Sequence, residues 1–197
     1  KAKSIIPHLA IILIDKDPAS VAYVNQKEIK AKKIGAKISV KHLSSSVSEP
    51  KLLTAVKQFN NDNNIQGIII QRPLPKNINS NKISMTVDPE KDVDGFHPNS
   101  KFRPPIALAV LRILSARHSG EEATTTPESL RVHHGVKGFW TSQNDIFITW
   151  LKSQKIVIIG KGETGGKPII EMLRKMHIEP SIVDTKTPNS ETITKTA

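Results

Sequence analysis

Two residues four positions apart, Tyr23 and Lys27, are the first pair along the chain that could do acid–base chemistry. In a helix this spacing puts both side chains on one face, so that an amine lies beneath an aromatic ring. An amine shielded in this way can exchange protons with a bound molecule. The alternative is an ordinary surface lysine, because Lys27 belongs to a lysine-rich segment.

Polar side chains also follow two segments further along the chain. Gln71 ends an apolar run, and its amide could either meet a catalytic group or satisfy loop backbone. Asp92 and Asp94 are two positions apart, and alternation along extended backbone points their carboxylates to opposite sides. At most one of the two therefore faces a given pocket. The further oxygen ligands of a calcium-binding loop are absent from this segment.

The segment KIVIIGKGETGGKPIIEML at 155–173 has the pattern of a buried strand, a glycine-rich turn and a helix. Gly160 permits the tight turn, and Gly162 and Gly165 leave room for backbone near a phosphate group. The helix that follows would offer its first amides to the anion. Many loops contain three glycines, but a position directly after a strand favours a nucleotide site.

Apolar strands and amphipathic helices alternate through the first half of the chain. Parallel strands need crossover helices between them, so this order predicts an α/β fold with a parallel sheet covered by helices. Ligands in such folds gather at the carboxyl ends of the strands. The predicted strands are 8–14, 36–43 and 65–75, and the predicted helices are 19–34, 48–62 and 104–114.

Composition narrows the possible function classes. The 197 residues contain 29 Lys and Arg against 18 Asp and Glu, and a net charge of +11 favours an anionic partner. The lysines are scattered and aromatic residues are few, so we expect no nucleic-acid partner. Without cysteine there are no disulfides or thiolate metal sites. No apolar run is long enough for a membrane span, and we expect a cytoplasmic protein.

Four segments carry a resemblance to a known family. They are PASVAYVNQKEIKAKKIG at 18–35, NNDNNIQGIIIQRPLP at 60–75, PEKDVDGFHPN at 89–99 and VIIGKGETGGKP at 157–168. In this order they resemble the bifunctional methylenetetrahydrofolate dehydrogenase/methenyltetrahydrofolate cyclohydrolase family. The pair GIIIQ and KDVDGFHP is the most specific part of the match. A glycine-rich turn alone would equally suit a non-catalytic α/β module that binds a phosphate ligand or nucleic acid.

The resemblance implies a domain organisation. Residues 1–114 would form a parallel-sheet, folate-binding catalytic domain, and 146–197 would form the first part of a Rossmann-like dinucleotide-binding domain. Residues 115–145 match nothing in the family and are expected to be a polar linker or insertion. Within it, the adjacent His133 and His134 cannot share a helix face, so we expect no metal site. We expect a truncated member that lacks dehydrogenase activity by itself.

The resemblance also implies an activity and the residues that perform it. Such enzymes use NADP to oxidise 5,10-methylenetetrahydrofolate to the 5,10-methenyl form, which they hydrolyse to 10-formyltetrahydrofolate for one-carbon metabolism and purine biosynthesis. The tyrosine at the position of Tyr23 stacks on the folate. The lysine at the position of Lys27 is the general acid/base of hydrolysis, and the glutamine matching Gln71 orients that lysine.

Substrate contacts follow from the same resemblance. The aspartate matching Asp94 binds the pterin, because a carboxylate can accept two N–H donors from the amino-pyrimidine edge. Ser20 and Pro73 are expected as further substrate contacts. Arg72 replaces the usual leucine of the QLPLP loop and is expected to place a charge at the edge of the cleft. The full-length protein is expected to form a homodimer.

The identity of the dinucleotide is left between two candidates. The expected cofactor contacts are Gly160, Lys161, Gly162, Gly165, Gly166 and Thr185. Lys161 stands where the family usually has arginine, and a lysine can still neutralise the 2′-phosphate of NADP. Asp184 follows the next predicted strand, where an acidic residue would hold the ribose 2′-hydroxyl of NAD. We favour NADP, with NAD as the alternative.

Overall fold

A computed structural model describes residues 5–15, 17–120 and 142–195 of the chain. They form two compact units, Lys1–Arg103 and Pro104–Ala197. His133 and His134, with the rest of 121–141, lie outside the described residues. No helix in the described ranges is both long enough and apolar enough to cross a membrane.

The first unit is built on a three-stranded parallel sheet. Its strands are β1 (His8–Ile14), β2 (Lys37–Leu43) and β3 (Gly67–Ile70), in the order β2-β1-β3. Leu9 of β1 pairs with Ile38 on one side and with Gly67 on the other. The crossovers are α1 (Pro18–Lys33) and α2 (Glu49–Asn61), and α3 (Ser80–Thr86) follows β3. The predicted α/β fold with a parallel sheet is confirmed.

Strand β1 is buried on both faces because helices cover the sheet from two sides. Ala10 and Ile12 belong to the core that contains α2 residues such as Leu52. The alternate residue Ile11 packs on the other face with Val24 of α1. This is the continuous apolar pattern that a central parallel strand requires. The central position of β1 directs its carboxyl end, together with that of β3, to one edge of the sheet.

The segment after α3 is tied to the carboxyl end of α2. The Lys91 amine donates to the backbone oxygens of Phe59, Asn60 and Asp62, at 3.3, 2.7 and 2.9 Å. These are carbonyl groups that a helix end leaves without intrahelical partners. Next to this cap, the Ile68 amide donates to the Lys91 oxygen at 2.7 Å. The chain after Lys91 is thereby held along the free side of β3.

The second unit contains four helices and a two-stranded parallel sheet among its described residues. They are α4 (Pro105–Ser119), α5 (Ser142–Ser153), β4 (Val157–Ile159), α6 (Gly166–Lys175), β5 (Ser181–Val183) and α7 (Ser190–Lys195). Helix α4 corresponds to the segment predicted to end the first domain, yet it lies in this unit. The reason is packing, because Ala107 and Leu111 share a core with Leu151 and Leu173. Both ends of the predicted linker at 115–145 are helical, in α4 and α5.

Candidate functional site

Lys27 and Gln71, far apart in sequence, meet at the carboxyl end of β3. The Lys27 Nζ atom donates to the Gln71 Oε1 atom at 3.1 Å. Gln71 is held on two further sides, since its backbone N–H donates to the Ile12 oxygen at 2.9 Å and its Nε2 atom donates to the Arg72 oxygen at 3.0 Å. Because the amide nitrogen is used in this way, the amide oxygen faces the lysine.

The start of α1 determines where Lys27 lies. Asp17 caps the helix, and one of its carboxylate oxygens accepts the Ser20 backbone N–H at 2.8 Å. One turn before Lys27, the Tyr23 side chain is 65% exposed, and the Lys27 Nζ atom lies 5.9 Å from the centre of its ring. An exposed aromatic face beside an amine suits stacking with a flat ligand.

The aspartate loop, residues 91–97, places its two carboxylates in different roles. Asp92 is buried and accepts the backbone N–H groups of Gly95 and His97, at 3.1 and 2.6 Å. It therefore shapes the loop. Val93 packs so closely on β3 that a Cβ atom at Gly67 would lie 3.0 Å from its Cγ1 atom. The loop is thus fixed against β3, the strand that directly precedes Gln71.

Asp94 is the carboxylate of this loop that shares its electrostatic environment with the lysine. Burial raises the pKa of the Asp94 carboxyl to about 6. The charge of Lys27 lowers that pKa, the charge of Asp92 raises it, and the charge of Arg72 lowers it. Side chains from α1, from the end of β3 and from the aspartate loop therefore act on one carboxyl group.

Ser20, Arg72 and Pro73 surround the same strand end. Ser20 is buried, and its hydroxyl lies 3.5 Å from the Arg72 backbone oxygen, to which it donates. Pro73 is exposed and follows a cis peptide bond. Arg72, expected to place its charge at the edge of the cleft, is only 6% exposed, so its charge is buried rather than open to solvent. Its partners, Ser84 and Phe96, lie too far along the sequence to have been anticipated.

The glycine-rich turn of the second unit joins β4 to α6. Gly160 has φ +85°, and its backbone N–H donates to the Val183 oxygen at 2.7 Å, so the turn begins within the parallel pair. Gly166 packs directly on it, since a Cβ atom there would lie 1.9 Å from the Gly160 oxygen. At Gly162 and Gly165 an added Cβ atom would meet nothing within 4 Å. Two glycines therefore shape the turn, and two leave space beside it.

Lys161 and Asp184 form an ion pair next to this turn. The Lys161 Nζ atom lies 2.7 Å from an Asp184 carboxylate oxygen. This contact, the Lys186 backbone N–H and the Thr187 hydroxyl all lower the pKa of the Asp184 carboxyl. Thr185, predicted as a cofactor contact, is exposed in the turn after β5. Asp184, the acidic residue that would favour NAD, is thus paired with Lys161, the cation that would favour NADP.

Comparison with known proteins shows which family this chain is similar to. A family model described as tetrahydrofolate dehydrogenase/cyclohydrolase, catalytic domain, matches residues 1–94. The "Bifunctional protein FolD" of Streptococcus agalactiae serotype Ia is 34% identical over 195 residues, which are 98% of this chain and 61% of that protein. The chain is thus similar to the tetrahydrofolate dehydrogenase/cyclohydrolase family, whose model matches just under half of it. The resemblance based on the four sequence segments is therefore confirmed.

Two further comparisons show the same similarity. The "Bifunctional protein FolD" of Helicobacter acinonychis is 42% identical over 123 residues, or 58% of this chain and 42% of that protein. The crystal structure of the bifunctional enzyme from Campylobacter jejuni matches with a TM-score of 0.71 at 29% identity, over 95% of this chain and 60% of that one. The chain spans about three fifths of the length of the Streptococcus and Campylobacter relatives.

The structure brings together Tyr23, Lys27, Gln71 and Asp94 in the first unit, and the glycine-rich turn with Lys161 in the second. In the part of the chain that the structure describes, no group of three or more His, Asp or Glu side chains could hold a metal ion. Arg72 is the residue whose contacts sequence reasoning missed.

Proposed function

We propose that this chain acts in one-carbon folate metabolism, in the oxidation of 5,10-methylenetetrahydrofolate and the hydrolysis of the methenyl product to 10-formyltetrahydrofolate. The observation that carries the proposal is the hydrogen bond from Lys27 to Gln71, made where Lys27 also acts on the partly buried carboxyl of Asp94. A non-catalytic binding module needs no such amine. The first unit supplies the folate site in this proposal, and the second supplies the dinucleotide site.

The hydrolysis step uses Lys27 as its acid–base group. Water attacks the methenyl carbon, a C–O bond forms, and the bond from that carbon to N5 breaks, so that the formyl group stays on N10 and one proton is released. Lys27 takes a proton from the water and supplies one to the departing nitrogen. Gln71 holds the amine in place through its amide oxygen. The exposed ring of Tyr23 stacks on the folate.

Asp94 recognises the pterin ring in this proposal. An ionised carboxylate accepts two N–H donors from the amino-pyrimidine edge and so fixes the orientation of the ring. Burial of the carboxyl strengthens such a pairing, because water competes for it less. Ser20 and Pro73 border the same strand end and are retained as proposed substrate contacts.

NADP is the dinucleotide that the second unit fits best. The pairing of Gly160 with Gly166 builds a tight strand-to-helix turn, and Gly162 and Gly165 leave space for phosphate beside it. Lys161 would hold the 2′-phosphate, and its ion pair with Asp184 offsets the negative charge that would otherwise repel that group. NADP would accept the hydride that leaves the methylene carbon. A cytoplasmic homodimer is proposed on the family resemblance alone.

The test is an assay of methenyltetrahydrofolate hydrolysis with the 197-residue chain. Lys27→Met should lower the rate by at least about 100-fold, because it removes the acid–base group, while folate binding persists. Lys30→Met, which removes an exposed lysine from the same helix, is the matched control and should keep the rate. Hydrolysis that survives Lys27→Met would contradict the assignment. Salt-dependent RNA binding without any hydrolysis would favour the binding module.

A further inference from the structure

Arg72 connects three segments of the first unit through one buried guanidinium group. The guanidinium carbon lies 4.1 Å from the centre of the Phe96 ring, which belongs to the aspartate loop. Its Nη2 atom donates to the Ser84 hydroxyl of α3 at 2.6 Å. Arg72 itself follows β3. Stacking on an aromatic face and a charge-assisted hydrogen bond are the two contacts that arginine makes better than lysine.

The backbone of the same residue orients the partner of the catalytic lysine. The Arg72 carbonyl oxygen accepts the Gln71 side-chain N–H at 3.0 Å and is within 3.5 Å of the Ser20 hydroxyl. A displacement of Arg72 would therefore turn the Gln71 amide away from Lys27. One residue thus links the lysine side of the site to the aspartate side.

Arg72 also supplies a charge that does not change with pH. The charged groups that act on Asp94 are Lys27 from α1, Asp92 from the aspartate loop and Arg72 from the end of β3. Lys27 exchanges protons in the proposed reaction, whereas a guanidinium keeps its proton at every ordinary pH. Arg72 opposes the effect of burial on the Asp94 carboxyl and keeps more of it ionised near neutral pH.

We propose that Arg72 is a positioning residue for Asp94 and Gln71, which holds the aspartate loop through Phe96 and supplies a permanent positive charge near the carboxylate. It couples the geometry of the folate-binding group to that of the acid–base pair. The role in catalysis rests on the proposed function, but the influence of Arg72 on Asp94 does not. It can be measured without any ligand.

The experiment is an NMR titration of the Asp94 carboxyl carbon in the ligand-free 197-residue chain, with the signal assigned by its loss in Asp94→Asn. The midpoint in the unsubstituted chain should be about 6. Arg72→Leu removes the charge and places the residue usual in the family. Arg72→Gln removes the charge but keeps a donor for Ser84. Both should move the midpoint upward by about half a unit to one unit, and Arg72→Lys should move it less.

Lys41→Leu is the matched control. Lys41 also lies over an aromatic ring, 5.9 Å from the centre of the Phe59 ring, and its loss changes the net charge equally. The midpoint should stay in place. An unchanged midpoint in both Arg72→Leu and Arg72→Gln, or an equal shift in Lys41→Leu, would overturn the proposal. Two charge-removing variants are used so that misfolding of one still leaves a result.

A second readout separates this proposal from the proposed function. Methenyltetrahydrofolate hydrolysis by Arg72→Leu should show a pH profile displaced upward relative to the unsubstituted chain, in step with the NMR midpoint. If the unsubstituted chain hydrolyses nothing, the proposed function fails, whatever the titration shows. If it hydrolyses the substrate and the two profiles coincide, the inference on Arg72 fails alone.

Discussion

At the residue scale, the site depends on an amide with its two ends used differently. Gln71 donates from its nitrogen to the Arg72 oxygen and accepts from Lys27 at its oxygen. An amide held by one fixed acceptor cannot flip without losing that bond, so its oxygen stays directed at the lysine. Glutamine therefore acts here as an orienting group, whereas a glutamate would place a second negative charge close to Asp94.

The ionisation of Asp94 predicts a pH dependence of folate binding. The pKa of this carboxyl is raised to about 6, so it is ionised above that pH and protonated below it. A protonated carboxyl loses one of the two acceptors that the pterin needs. The dissociation constant of a tetrahydrofolate analogue should therefore rise by up to about tenfold for each unit of pH below 6. Isothermal titration calorimetry between pH 5 and pH 8 measures this.

Asp94→Asn is the control for that titration. It should bind the analogue weakly at every pH, with a flat profile over the same range. Wild-type binding that is flat below pH 6 would contradict the assignment of Asp94.

The raised pKa of Asp94 also makes the stability of the folded protein depend on pH. Between the ordinary aspartate pKa and pH 6, the folded protein binds more protons than the unfolded chain. The stability due to this group is therefore present at low pH and is lost as pH rises through 6.

Lys161 predicts a difference between the two dinucleotides. Lys161→Ala removes the cation for a 2′-phosphate and leaves Asp184 negatively charged beside it. The dissociation constant for NADP should rise by about tenfold or more, as expected for one lost charge-assisted contact, whereas that for NAD should change little. Fluorescence titrations with both reduced dinucleotides give the ratio. Equal losses for both would mean that Lys161 does not contact the 2′-position.

At the scale of elements, the aspartate loop is aligned by the carboxyl end of α2. Lys91 donates to three backbone oxygens there, and the Ile68 backbone N–H donates to the Lys91 oxygen, which sets the register of the loop beside β3. A lysine at a helix carboxyl end also complements the helix dipole. The position of Asp94 therefore depends on a cap that is made three residues earlier.

Lys91→Met tests this cap. The substitution keeps much of the side-chain volume but removes the amine that donates to the carbonyl groups at the end of α2. The free energy of unfolding should fall by about 1.5–3 kcal/mol, the value of hydrogen bonds that involve a charged group. Urea denaturation followed by circular dichroism measures it. Lys57→Met, at an exposed position of the same helix, should change stability by less than about 0.5 kcal/mol.

Much of the fold could be predicted from the sequence because the signals were local. The apolar run at 8–14 predicted β1, and the alternation of strands and helices along the chain predicted a parallel sheet. The spacing of Tyr23 and Lys27 predicted their shared helix face. Burial of Arg72 could not be predicted, since Ser84 and Phe96 approach it only through the tertiary fold. The packing of α4 in the second unit was missed for a related reason. An apolar helix does not indicate in its own sequence which core it joins.

At the scale of the whole molecule, the residues proposed for the two chemical tasks lie in different units. Every residue proposed for hydrolysis lies within Lys1–Arg103, and every residue proposed for the dinucleotide lies within Pro104–Ala197. Hydrolysis needs water and an acid–base group, whereas oxidation needs the dinucleotide as well. The two activities should therefore respond separately to substitutions.

Gly166→Ala tests this separation. Its Cβ atom would lie 1.9 Å from the Gly160 oxygen, so α6 must shift away from the turn, at a cost of about 1–3 kcal/mol. NADP binding should fall at least about tenfold, while methenyltetrahydrofolate hydrolysis stays within about twofold because its residues are untouched. Gly162→Ala, which meets no atom within 4 Å, should leave thermal stability unchanged. Parallel loss of hydrolysis and NADP binding in folded Gly166→Ala would show that the two tasks are not separable.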